Sequence, residues 1–144
     1  MNVTQVLNAL ERERALLREF HDLSSRQLTL LDNENLDGMG KLLDDRSDLM
    51  LELTAIEATL GTWITQLRNE CKITPEVLTE LKLINDDIVD LANEIVELDE
   101  VTHWRLDLIK QKAADDLQRL NRSNTMLSGY SATLRIQPNL KFNG

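Results

Sequence analysis

Residues 74–134 hold only two helix breakers, Pro75 at the start and Gly129 near the end. Read as a helix rising 1.5 Å per residue, this stretch extends roughly 90 Å. The two segments before it are each barely more than half as long. Helices so unequal cannot cover one another completely. The longest is expected to keep apolar surface that the rest of the chain leaves open, and function is expected to sit on that surplus.

Composition agrees with long amphipathic helices rather than sheets. Leucine dominates the apolar set, aromatics are 3% and charged residues 28%, with only 5 Gly and 2 Pro. A chain of 144 residues suits one domain. The expected fold is therefore all-α: an antiparallel bundle of three long helices with coiled-coil-like packing, the third helix longest, in one domain over 1–144.

The net charge of −9 argues against nonspecific nucleic-acid binding, which needs a cationic face to release counterions. The charge is unevenly placed, with a balance of −13 over residues 1–101 and +4 over residues 102–144. Such asymmetry can steer partners or align helices, and it equally suits a solvated surface. The single cysteine, Cys71, leaves no intramolecular disulfide or cysteine-based zinc cluster. Its place near the end of a helical pattern suits a small core residue. The opening MNVTQVLNALERERALL has no cationic segment followed by an apolar block, and charges interrupt every apolar stretch well before about 18 residues. A soluble cytoplasmic protein without membrane insertion is expected. The sequons at Asn2 and Asn121 are then chance matches.

Helix one is expected over about residues 2–32, capped by Asn2 or Thr4. Its inward stripe is Val3, Val6, Leu7, Leu10, Leu17, Phe20, Leu23, Leu28 and Leu31. Residues 32–40, DNENLDGMG, favour a reversal. Helix two, about 36–71 with Leu36 or Lys41 as its start, has the clearest heptads. Leu42, Leu49, Ile56 and Trp63 form one row, and Leu53, Leu60 and Leu67 a second that Arg46 interrupts. Leu43, Met50 and Ile64 are expected to widen this seam, so that the helix touches two partners. An arginine in such a row can lay its stem on apolar neighbours while its head reaches solvent or a carboxylate. Gly61 falls inside the pattern, through close approach or simple tolerance.

Thr74, Pro75 and Glu76 read as N-cap, first helical position and first-turn acid of helix three, about 75–134. Its stripe runs through Val77, Leu81, Ile84, Ile88, Leu91, Ile95 and Leu98. It is then expected to shift through Val101, Trp104, Leu108, Ile109, Ala113, Leu117, Leu120 and Leu127, with a change of partner near 101–105. A fold-back into a fourth helix would have to occur without a turn signal. The tail, 135–144, is expected to be loosely held.

Catalytic chemistry finds little footing. Di-metal sites in helical bundles use two Glu-x-x-His pairs plus two further Glu. Glu100 and His103 fit one pair, but Arg18 stands where His21 would need its acid. The double acids 44–45, 86–87 and 115–116 point about 100° apart on a helix and do not converge on one atom. No phosphate loop or recognisable nucleophile context occurs. The expectation is no enzyme, no cofactor and no metal. What remains is recognition through an apolar helix face, with anchors at i, i+3, i+4 and i+7. On physics alone, binding of a client helix and packing on helix one or in a homodimer are equal alternatives for Leu117, Leu120, Met126 and Leu127.

Two sequence stretches carry a resemblance to a known family. The segment DNENLDGMGKLLDDRSDLMLEL runs from an acid-rich turn into the leucine-rich second helix, and LQRLNRSNTMLSGY lies late in the third. In the latter, Leu120, Asn121, Asn124 and Leu127 form an L-N-x-x-N-x-x-L run. Two asparagines one turn apart cost helix propensity and make sense if the amides serve an interface. With these features the chain resembles the FlgN-type flagellar export chaperones, small acidic all-helical proteins that hold hook-filament junction subunits before type III export. The resemblance implies that the C-terminal part of helix three binds C-terminal helical segments of the junction proteins FlgK and FlgL. It gives that role to Leu117, Leu120, Asn121, Asn124 and Leu127. Tyr130 would be a contact for client or export apparatus. Family members often have a later tyrosine-glycine motif, which this tail lacks. The alternative expectation is a coiled-coil adaptor or homodimeric scaffold using the same leucines.

Overall fold

A computed structural model describes residues 2–70 and 72–133, with side chains through residue 129. The expectations for Cys71 and for the tail fall outside the described residues. Three helices follow one another: α1 (Val3–Asp32), α2 (Met39–Asn69) and α3 (Pro75–Thr133). With 59 residues α3 is the longest, and it runs on without the fold-back into a fourth helix. Contacts divide the chain into two compact units, Met1–Trp104 and Arg105–Gly144.

Local chemistry sets the helix ends. Asn2 caps α1 in a capping box: its Oδ1 accepts from the Gln5 backbone N–H and Gln5 Oε1 accepts from the Asn2 N–H, both at 2.9 Å. Thr74 caps α3, its Oγ1 accepting from Val77 N at 3.3 Å. α2 begins at Met39, between the two expected starts at Leu36 and Lys41. Glu34 (φ 53°) and Gly38 (φ 80°) both adopt left-handed backbone here, and Asn35 Oδ1 accepts from Asp37 N at 3.1 Å. These break the helical repeat and leave Leu36 exposed. α2 also stops two residues short of the expected end, at Asn69. Gly38→Ala forces a side chain into left-handed backbone although open space surrounds it. It should cost about 1 kcal/mol in chemical denaturation, all of it conformational.

In the first unit the helices run up, down and up. Arg14 pairs with Asp87 at 2.9 Å and His21 with Glu94 at 3.0 Å. A heptad along α1 thus matches a heptad along α3 in the same direction. α2 runs the other way: Arg12 meets Glu52 at 3.1 Å, while Gln27, farther along α1, meets the earlier Arg46. The core joins Val6, Leu10, Leu16, Leu17 and Phe20 of α1, Leu49, Leu53, Leu60 and Leu67 of α2, and Ile84, Ile88 and Ile95 of α3.

The buried positions of α1 are Val6, Leu10, Glu13, Leu17, Phe20, Ser24, Gln27 and Leu31, with Leu16 beside them. Spaced four, three, four, three, they form an unbroken heptad seam in which three members are polar. A search for apolar residues alone overlooks Glu13, Ser24 and Gln27, misses Leu16, and chooses Leu28, which is only half-buried. On α2 the two rows are as expected, but Leu43 and Met50 are 45% and 50% exposed rather than widening the seam. They lie beyond the arc that two neighbouring helices can cover.

Glu13 pays for its seam position. Burial first, and the nearby Glu57 carboxylate second, raise its pKa above the ordinary carboxylate value. The folded state therefore holds this proton more tightly than the unfolded one. Stability from Glu13 falls as pH rises from the unfolded value through the raised folded value, and the penalty is complete above it. Glu13→Gln should therefore be more stabilising at pH 8, where the penalty of the buried carboxylate is complete, than near pH 3.5. Urea denaturation of both proteins at the two pH values measures the difference.

Candidate helical docking surface

The seam of α3 does not follow the expected shift. Val101, Trp104 and Leu108 are 41%, 58% and 43% exposed, whereas Thr102 is buried. Thr102 lies four residues after Leu98, where the heptad seam requires an inward residue whatever its polarity. The boundary between the two units falls between Trp104 and Arg105.

From Arg105 to residue 129 every side chain is exposed except Leu106, which is half-buried. At 100° per residue, Leu106, Ile109, Ala113, Leu117, Leu120, Asn124 and Leu127 fall within an arc of about 80°. This is a continuous apolar stripe of about six turns, interrupted once by an amide. Leu117, Leu120 and Leu127 are 58%, 57% and 64% exposed, so with Asn124 four of the sequence-selected residues share one open face. Asn124 sits in the middle of that face, and Asn121 lies along its edge. Both amides are exposed, and among the described residues neither has a side-chain hydrogen-bond partner. The Asn121 backbone carbonyl accepts from Thr125 Oγ1 at 2.9 Å. The side chain of Tyr130 lies outside the described ones. Met126, 75% exposed, projects to the opposite side.

Leu106 is the residue that sequence reading passed over. Counting back from Ile109 and forward from Thr102 by three and four residues reaches it from both sides. Its signal was present but hidden by the more conspicuous Trp104.

Among the described residues no group of three or more His, Cys, Asp or Glu is arranged to hold a metal ion. His21 is engaged with Glu94 of α3. A cleft between α1 and α2 is lined by Glu19, Asp22, Asp45 and Asp48 with Leu23, Arg26 and Leu49. Asp22 and Arg26 are paired at 3.1 Å. No described helix is long and apolar enough to cross a membrane. The open stripe has the geometry to bury a facing apolar helix. No protein-family model, curated protein or solved structure matches the chain.

Proposed function

We propose that this chain is a non-enzymatic cytoplasmic export chaperone that captures an amphipathic C-terminal segment of flagellar hook-filament junction proteins of the FlgK and FlgL type, masks it, and keeps it export-competent. The observation that carries the reading is the exposed stripe of residues 106–127. Burial of each open leucine, already partly covered, contributes about 1–2 kcal/mol, enough in combination to hold a client helix. The L-N-x-x-N-x-x-L run at Leu120, Asn121, Asn124 and Leu127, which resembles that of the FlgN-type chaperones, lies on and beside that stripe. The acidic surface of the preceding residues supports solubility of the free chaperone. Tyr130, three residues beyond Leu127, is assigned to client or export-apparatus contact on the resemblance alone.

The test is calorimetric titration of the full chain with a junction-protein C-terminal peptide, accompanied by light scattering. The expected result is a one-to-one complex with a Kd of about 1 μM or tighter. Absence of binding, together with a stable dimer held through residues 106–127, would instead establish the homodimeric scaffold.

A further inference from the structure

The stripe also specifies what its occupant must look like. Residues 105–129 carry five Lys or Arg against three Asp, in contrast to the −13 balance of the residues before them. Lys110 stands beside one edge of the stripe and Lys112 beside the other, both exposed. On the latter edge Asp116 is answered within the same helix by Arg119 at 4.0 Å. The flanks that a docked helix would meet therefore have a positive surplus. A second copy of this segment would double that surplus, whereas acidic flanks would cancel it.

Asn124 imposes a second requirement. It lies at the centre of the apolar arc, so a docked helix removes its amide from water. A buried amide left without a partner costs about 1–3 kcal/mol, enough to offset the burial of one neighbouring leucine.

Resting on the client-capture reading above, we infer that the occupant is an amphipathic helix of about six turns with acidic flanks and one hydrogen-bonding residue in its apolar seam, at the level of Asn124. Attraction along the edges sets orientation and encounter rate. The amide at the centre fixes register by rejecting helices that are apolar throughout.

Three synthetic helices with one shared leucine seam test this by fluorescence anisotropy against the full chain. The first has glutamate flanks and a central asparagine, the second lysine flanks and the same asparagine, and the third glutamate flanks with leucine at the centre. The first should bind at least about tenfold more tightly than either other, and its advantage over the second should shrink at high salt. Lys110→Glu with Lys112→Glu should reverse the charge preference. Asn124→Leu should make the third peptide the better ligand, a swap that a general loss of folding cannot produce. Equal binding of all three overturns the inference and leaves hydrophobic capture standing. Failure of all three, and of the junction-protein peptide as well, overturns both.

Discussion

Replacing Leu120 and Leu127 together by aspartate should abolish client capture, lowering affinity by at least about 100-fold, while the fold survives. Both side chains lie on the open stripe and are more than half exposed, so neither substitution removes core packing. Each would lose the burial that binding provides, about 1–2 kcal/mol for a leucine already partly covered. Each would also place a carboxylate where a docked helix excludes water, which is costlier than the lost contact. The local cost is helix propensity, under about 1 kcal/mol per residue. Circular dichroism should therefore show helicity within a few per cent of the parent, and titration should show no complex. Loss of helicity, or collapse of a dimer to an unfolded monomer, would instead place these leucines in a structural interface.

Arg46→Ala should be the most damaging single polar substitution in the bundle, costing about 2–3 kcal/mol and lowering Tm by roughly 10–15 °C. Arg46 occupies a seam position of α2, where its side chain is only 16% exposed. Its Nη2 donates to both carboxylate oxygens of Asp99 on α3, at 3.0 and 2.9 Å. Its Nη1 donates to Gln27 Oε1 on α1, and its guanidinium lies 4.6 Å from the centre of the Phe20 ring. One side chain thus ties all three helices at one level. Truncation strands the buried Gln27 amide and removes the stem that packs beside Phe20. Combining Arg46→Met with Gln27→Leu and Asp99→Leu should recover most of the loss, because an apolar layer needs no hydrogen bonds. Thermal denaturation of the single and triple variants separates the two effects. If Arg46→Ala costs under about 0.5 kcal/mol, the layer is only a surface ion pair.

These two cases show how far the chain could be read in advance. Heptads at 42–67 and 77–98, the Thr74-Pro75 start and the turn at 32–40 are local signals, and all reappear as helices and caps. The same period also pointed to Arg46, and a carboxylate was the stated alternative to solvent for its head. Which carboxylate it meets was not readable, because Asp99 lies 53 residues away and is one acid among many on α3. Leu120, Asn121, Asn124 and Leu127 were chosen from a motif. Only helical geometry distinguished Asn124, inside the arc, from Asn121 at its edge.

Sequence by itself determined the helical class, the number and order of the helices, and the apolar period that runs the length of the third. Those depend on backbone propensity and on side chains a few residues apart, which interact whatever the rest of the chain does. Tertiary structure decided which polar residues enter the seam: Glu13 facing Glu57, Gln27 on Arg46, and Thr102 in place of the more apolar Val101 and Trp104. Burial is a property of what faces a residue from another helix. Three helices in fixed register can therefore bury a threonine and leave a tryptophan in water, a choice that hydrophobicity along one strand of sequence does not contain.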